Sequence, residues 1–272
     1  MKQIKITNKP TRIRQTLFAL MLVPFLTFSS CDVLTGILND YGTGSGGLTN
    51  AEITQGLKEA LKEGARFASN KASQQNGFLD NPIVDIRILL PPELRKAEKN
   101  IRRVPIIGDN LVDDLIEAMN RGAEAAAKEA APIFVNAITS MTVTDAVNIL
   151  KGQDNAATQY LRRTTSQQLT GAFEPEIKKA LNNVGATKIY NNLKNGIDKY
   201  NRTPLVNKLD VDINDLPEIE EYATEKALDG LFSLVAVEEK KIRDNPLDYS
   251  QQIIRKVFSS VQNNQSSSSN RY

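Results

Sequence analysis

The chain of 272 residues contains one cysteine, Cys31, and this count limits what can stabilise its fold. A single cysteine cannot form a disulfide within the chain, so packing must supply the stability. The composition allows this, because 40% of the residues are hydrophobic and roughly 210 residues between Thr49 and Phe258 suffice for one sizeable core or two small ones. The sequence therefore predicts a packed domain without cross-links.

The chain also lacks histidine and tryptophan. Histidine is the commonest general base and the commonest metal ligand in proteins. Its absence excludes zinc sites of the Cys/His kind and catalysis by Ser-His-Asp or Cys-His arrangements. Phosphate-binding glycine loops are absent too, since the glycines at positions 42–47 follow no predicted strand. We therefore predict no metal site and no cofactor.

The first thirty residues combine a basic segment, an apolar core and two small residues. Residues 1–15 carry five basic side chains and no acidic one, residues 17–28 are mostly apolar, and Ser29 and Ser30 follow. This order is typical of a secretory signal peptide. The core of about 12 residues is shorter than the roughly 20 that a helix needs to cross a bilayer. We predict that residues 1–30 are a cleaved signal peptide.

Cys31 directly follows this segment, and its placement resembles the lipobox of bacterial lipoproteins. There the thiol is joined to diacylglycerol and the freed amine is acylated. Several acyl chains, at about 0.8 kcal/mol per buried methylene, make such an anchor stable. The resemblance implies a lipoprotein carrying palmitate or similar chains, anchored through Cys31 in the cell envelope at the outer membrane, facing the periplasm or the cell surface. An ordinary cleaved signal with a cysteine near the cut is the alternative.

Cleavage would reverse the sign of the net charge. Residues 1–30 contain five basic and no acidic side chains, so the mature chain keeps 29 basic and 32 acidic ones and a net charge of −3. Nucleic-acid binding needs a concentrated basic face for the phosphates. The mildly acidic mature chain therefore argues against a nucleic-acid partner.

Composition divides the mature chain into three regions. Residues 31–48 are the acylated cysteine and a flexible, glycine-rich linker. Residues 49–258 form the folded domain, and residues 259–272 are polar and repetitive, which predicts a disordered tail.

Most of the domain shows the apolar spacing of amphipathic helices. Asn50 is the predicted cap of the first helix, Thr142 with Asp145 approximates a capping box, and Pro175 is predicted to start a new helix. The sequence thus predicts an all-α fold, a single domain of about eight or nine helices. They include segments near residues 50–72, 92–104, 109–130, 142–152, 154–173, 187–200 and 216–243, and a last helix with Ile253, Ile254, Val257 and Phe258.

Residues 81–91 depart from the helical pattern. Val84, Ile86 and Ile88 alternate with Asp85 and Arg87, which is typical of a strand. A single strand has no evident partner in the chain. We therefore predict an extended strap or a short hairpin near residues 81–91.

Several segments in this order resemble a bacterial family catalogued as domain of unknown function 4197. The resemblance extends over residues 48–258 and implies a helical domain of a protein that is exported and often lipidated. It implies no activity, so no residue role follows from it. The segments are GLKEAL (56–61), NGFLDNPIVDIRILLP (76–91), DNAATQYLRRTTS (154–166), NNVGA (182–186), KALDGLF (226–232) and EEKKIRDNP (238–246).

Asp229 is the candidate site residue with the most unusual surroundings. It lies within residues 227–237, which are apolar around most of a helix, so the sequence predicts a buried carboxylate. A buried carboxylate needs a partner, and Arg162 or Arg163 can grip it in bidentate geometry. This possible buried polar cluster could be a pocket with a perturbed carboxylate. We favour a structural role, in which Asp229 either forms an ion pair that fixes helix register or simply faces solvent.

Two further charged clusters have structural explanations. The run from Glu238 to Arg243 is expected to be a solvated helix end. Lys96, Lys99 and Arg103 share one helical face that could meet anionic lipid headgroups. Solvation with intrahelical pairing to Glu93 and Glu98 is the favoured alternative there.

The sequence leaves three functions open. The leading hypothesis is a non-catalytic, membrane-anchored envelope lipoprotein with a helical protein-interaction or scaffold domain. Its partners would be the bilayer, through acylated Cys31, and an unknown envelope protein. The alternatives are a carrier of a lipid or other apolar ligand and, less favoured, an enzyme that uses carboxylates such as Asp229.

Overall fold

The computed structural model describes residues 48–103, 108–183, 185–204 and 206–269, without the side chains of residues 108, 109 and 263–269. These residues form nine α-helices and three short 3-10 turns, with no strand among them, so the predicted all-α fold is confirmed. The predicted signal peptide, Cys31 and the linker up to residue 47 lie outside the described residues. The helices are α1 (Asn50–Ala72), α2 (Pro92–Arg102), α3 (Gly108–Ala126), α4 (Ala130–Thr139), α5 (Val143–Lys151), α6 (Ala156–Asn183), α7 (Ala186–Arg202), α8 (Ile219–Asp244) and α9 (Gln252–Ser269).

Helix α8 is the central element of the core. Helices α1 and α6 pack along it, and α6 also packs against α3. Residues 227–235 of α8 are buried except for Asp229 and Ser233, as a helix that is apolar around most of its circumference must be. The ring of Phe232 meets Phe134 of α4 edge to face, with ring centroids 5.7 Å apart. The core therefore forms around α8.

Residues 81–91 are an extended strap with no strand pairing, which confirms the first of the two predicted forms. Ile86, Ile88 and Leu90 are buried, whereas Asp85 and Arg87 are exposed. This alternation is the one that the sequence predicts. The strap closes one side of the core.

The side chain of Asn120 on α3 takes the place of a neighbouring strand. Its Oδ1 accepts a hydrogen bond from the Ile88 N–H at 2.9 Å, and its Nδ2 donates to the Ile88 carbonyl at 2.8 Å. The Tyr222 hydroxyl of α8 donates to the Leu90 carbonyl at 3.2 Å. Buried backbone groups must find partners, and these side chains satisfy part of the strap.

Glu124, one turn beyond Asn120, binds the start of the segment that connects α1 to the strap. One carboxylate oxygen accepts from the Phe78 N–H at 3.2 Å, and the other accepts from Nη1 of Arg121 at 2.8 Å. Nη2 of Arg121 donates to Oδ1 of Asn76 at 3.0 Å. Asn76 has a φ of 65°, the left-handed conformation that asparagine tolerates in turns.

The helix boundaries follow local signals with two corrections. The predicted Thr142–Asp145 capping box is present, but Thr49, rather than Asn50, caps α1 through a box with Glu52. Pro175 does not start a helix, because α6 continues through it. Proline clashes with the carbonyl four residues earlier, and here that residue is Gly171, exposed like Pro175 itself. Solvent can therefore satisfy the freed carbonyl.

The folded domain extends beyond both predicted limits. Leu48, assigned to the linker, is buried. At the other end α9 continues to Ser269, past residue 259, where the sequence predicts that a disordered tail begins. Val261 lies three and four residues after Phe258 and Val257, on the same apolar stripe, and it is also buried.

A buried carboxylate–guanidinium pair joins three helices at one end of α8. The Glu239 carboxylate accepts from the N–H groups of Ala157 and Thr158 at 2.9 and 2.7 Å, so it caps the start of α6. Arg243 donates to Glu239 at 2.9 Å and to the Ile149 carbonyl at the end of α5, also at 2.9 Å. The predicted solvated helix end is therefore wrong for this pair.

Glu238 is buried beside this pair. Its Oε1 accepts a hydrogen bond of 2.6 Å from the Tyr249 hydroxyl. Burial, followed by the hydrogen bond to Glu238, raises the pKa of Tyr249 well above its usual value. The tyrosine therefore stays a neutral donor over the accessible pH range.

No single helix within the described ranges is both long enough and apolar enough to cross a bilayer. Residues 110–139 and 143–151 meet the criteria of length and composition only together, with a bend of 108° between them.

We expect Gly230→Ala to lower the free energy of unfolding by about 1–3 kcal/mol, through overpacking. A Cβ at this position of α8 would lie 2.7 Å from Cε1 of Phe78 and 3.0 Å from Cβ of Ile86. Gly171→Ala is the control, because its Cβ would meet no neighbouring atom within 4 Å. That change should stabilise α6 by about 0.5–1 kcal/mol. Urea unfolding followed by circular dichroism measures the free energy of unfolding of both variants. Equal changes in the two would contradict the close packing of Phe78 and Ile86 on α8.

We expect Glu239→Gln to lower the free energy of unfolding by about 3 kcal/mol, because it leaves the buried Arg243 without its counter-charge. The glutamine amide can also accept at only one of its two terminal atoms. Asp244→Asn is the matched control, since Asp244 pairs with Lys240 at 3.0 Å on the exposed side of the same helix. That loss should be much smaller than the loss for Glu239→Gln, because an exposed ion pair contributes little to stability. Thermal and urea unfolding measure the stability of both variants. Similar losses for Glu239→Gln and Asp244→Asn would contradict the assigned capping role of Glu239.

Candidate functional site

The candidate site is a polar groove of about 450 Å³ between α6 and α8. From α6 it is lined at every fourth residue, by Arg162, Ser166, Thr170 and Glu174. Positions four apart lie above one another on a helix, so these side chains form one row. The facing row on α8 consists of Glu221, Thr224, Glu225, Leu228 and Asp229.

The groove brings together two of the three predicted site residues. Nη1 of Arg162 lies 2.9 Å from Oδ1 of Asp229, and Nζ of Lys226 lies 3.1 Å from the other carboxylate oxygen. The Arg162 guanidinium also lies over the Phe232 ring, 4.5 Å from its centroid, a cation–π contact. Asp229 is thus held by two cations, one from each helix.

The predicted burial of this cluster is wrong. The side chains of Arg162 and Asp229 are 40% and 44% exposed. At about 100° per residue, Asp229 and Ser233 lie close together on α8, and both are partly exposed within the buried segment. A run of apolar residues cannot reveal that one narrow stripe of the helix faces a groove.

Arg163 is not part of the cluster. It is exposed, and its guanidinium lies 5.7 Å from the centroid of the Tyr160 ring. One residue of separation turns it about 100° away from Arg162 on α6. The second predicted partner of Asp229 therefore faces another surface.

The electrostatics of the groove favour a fixed anion at Asp229. Partial burial raises the pKa of this carboxyl, but the hydrogen bonds from Arg162 and Lys226 together outweigh it, so the pKa lies below its usual value. The pKa of Lys226 is raised, first by its hydrogen bond to Glu225. Asp229 is therefore ionised at neutral pH and is a weak base, whereas a general base works best with a pKa near the working pH.

Two hydroxyl groups of the groove are committed to their own helices. Ser166 Oγ donates to the Arg162 carbonyl at 2.6 Å, and Thr224 Oγ1 donates to the Glu220 carbonyl at 2.7 Å. A nucleophilic hydroxyl needs an adjacent base to take its proton. The arrangement supports recognition by charge and hydrogen bonding better than covalent chemistry.

The structure shows buried polar residues that the sequence did not mark. Asn120, Glu124 and Glu239 bind backbone groups of distant segments. Their spacing in the chain carries no signal for this, because the partners are 32 to 82 residues away. Within the described ranges, no group of three or more acidic or cysteine side chains is placed to hold a metal ion.

Comparison with known proteins places the chain in one family. No curated protein and no solved structure matches it significantly. The model of the family described as protein of unknown function (DUF4197) matches residues 47–259, which is most of the chain and includes both rows of the groove. The resemblance seen in the sequence is thereby confirmed, and the protein is a member of the DUF4197 family.

Proposed function

We propose that this protein is a lipid-anchored envelope lipoprotein whose helical domain binds a partner protein and performs no catalysis. The observation that supports the lipid anchor is the position of Cys31, directly after a basic segment, a short apolar core and two serines. Acylation of this residue would hold the domain at the outer membrane, facing the periplasm or the cell surface.

The proposed contact surface for the partner is the groove between α6 and α8. Its lining includes the carboxylates of Glu174, Glu221, Glu225 and Asp229. Arg162 and Lys226 supply two cations there, so the groove keeps a net charge of −2. Such an excess of fixed negative charge complements a cationic segment of a partner and steers its approach. The hydroxyl groups of Ser166 and Thr224 in the same rows donate to their own helices. Charge therefore contributes most of the proposed recognition.

The alternatives receive less support from the described residues. The apolar cavity between Leu57, Ala60, Val235 and Phe258 has a volume of about 20 Å³, space for about one water molecule rather than an acyl chain. The carboxylate of Asp229 has a lowered pKa, which does not suit a general base. Binding of a protein therefore remains the best-supported role.

Acylation is tested by labelling cells with an alkyne analogue of palmitate. We expect the wild-type chain to be labelled and to sediment with membranes, and Cys31→Ser to be unlabelled. The control moves the thiol by combining Cys31→Ser with Thr35→Cys. This variant should also be unlabelled, because acylation requires the cysteine at the cut. A labelled Cys31→Ser variant would contradict the anchor.

Partner binding is tested by a photo-crosslinking residue placed at Thr170 in the groove. The control position is Gln168, which is exposed on α6 but outside the groove. We expect one protein to be crosslinked from Thr170 and not from Gln168. Adding Glu221→Lys and Glu225→Lys should abolish that product, whereas Asp80→Lys with Glu129→Lys, an equal charge change at exposed positions elsewhere, should not. Identical products from both positions would contradict the groove as the contact.

A further inference from the structure

Helix α2 concentrates positive charge on one face. When successive residues are placed about 100° apart, five basic side chains fall within an arc of about 120°. They are Arg95, Lys96, Lys99, Arg102 and Arg103.

The opposite side of α2 is occupied by the core. Leu94, Ala97 and Ile101 are buried. The helix therefore has no free apolar face with which to enter a bilayer, and only its charges are available for an outside contact.

Most of these charges have no counter-charge among the described side chains. Arg102 pairs with Glu98 at 2.7 Å and with Asp113 at 2.8 Å. The side chains of Arg95, Lys96, Lys99 and Arg103 are exposed and form no ion pair with any described residue. The favoured expectation of intrahelical pairing is thus wrong for them.

The charge of this helix contrasts with the rest of the protein. Residues 92–103 contain five basic and two acidic side chains, a net charge of +3. Since the mature chain has a net charge of −3, the remainder carries −6. Such an asymmetric distribution orients a protein in front of a charged surface.

We propose that the basic face of α2 binds the anionic phospholipid headgroups of the bilayer at which the chain is anchored. The inference rests on the proposed membrane location and adds a second contact to the acyl anchor. Lysine and arginine side chains near an anionic leaflet each add to the affinity, and one acyl chain with a basic patch is a known combination for stable attachment. Because the contact is electrostatic and superficial, salt weakens it.

The test measures sedimentation of the full mature chain with vesicles. Cys31→Ser is included so that no anchor contributes. The vesicles contain phosphatidylglycerol mixed with phosphatidylethanolamine, or phosphatidylcholine alone. We expect binding to the anionic vesicles only, and loss of that binding at high sodium chloride. Lys96→Gln, Lys99→Gln and Arg103→Gln together should lower the partition coefficient by about tenfold or more, from the typical contribution of each charge at such a surface.

The control removes the same number of charges elsewhere. Lys128→Gln, Lys178→Gln and Lys188→Gln change three exposed lysines outside α2 and should leave vesicle binding close to that of the parent chain. Circular dichroism checks that both triple variants are folded. Equal losses in the two variants, or no binding of the parent chain to anionic vesicles, would overturn the proposal.

Two further outcomes separate this proposal from others. Tighter binding of the parent chain to duplex DNA than to anionic vesicles at equal ionic strength would overturn a lipid surface in favour of a nucleic acid. Failed vesicle binding together with normal labelling of Cys31 would overturn the α2 contact alone. Absent labelling with intact vesicle binding would instead overturn only the anchor.

Discussion

The enclosure of helix α8 is the constraint on which the rest of the structure depends. Its middle turns, around Leu231 and Val235, are buried, so helices and the strap must surround them. Phe78 and the strap residue Ile86 lie so close to Gly230 that a methyl group there would be 2.7 Å from the first and 3.0 Å from the second. The backbone N–H and carbonyl groups within a buried helix pair with one another. The strap and the helix ends packed around α8 have backbone groups without such partners, and these need polar side chains within the core.

Those partners are side chains that form the hydrogen bonds which another backbone segment would otherwise supply. Asn120 binds Ile88 on both its N–H and its carbonyl, and Glu239 binds two N–H groups at the start of α6. Removing one member of a buried charged pair costs more than the pair contributes, because the other charge remains buried. Arg243 neutralises Glu239 and also binds the end of α5, so one pair fixes where two helices stop and start. The position of α6, and hence one row of the groove, depends on it.

Apolar spacing and capping patterns predicted the helices and the strap, because these features depend on neighbours within a few residues. The family was recognised separately, from six sequence segments in a fixed order. The errors have a different origin. Pro175 is accommodated within α6 because the Gly171 carbonyl that it leaves without a donor faces solvent, which only the folded surface reveals. The Arg162–Asp229 contact was among the predicted pairings, but its exposure was not, since the direction of one stripe of α8 depends on how α6 packs. Glu239 has no local signature, because its partners lie in another helix.

The charge layout separates two surfaces that would meet different partners. The groove keeps a net negative charge after the pairing of Asp229 and Glu225 with Arg162 and Lys226. Helix α2 instead presents four exposed cations that pair with no described side chain. An anionic bilayer is repelled by the first and attracted by the second, and a cationic segment of a partner protein experiences the reverse. Like charges brought face to face disfavour incorrect contacts, and opposite charges favour correct ones. Under the proposed anchoring, the sign of the charge rather than the shape of the surface therefore determines which side of the domain approaches the lipid and which remains available for a protein.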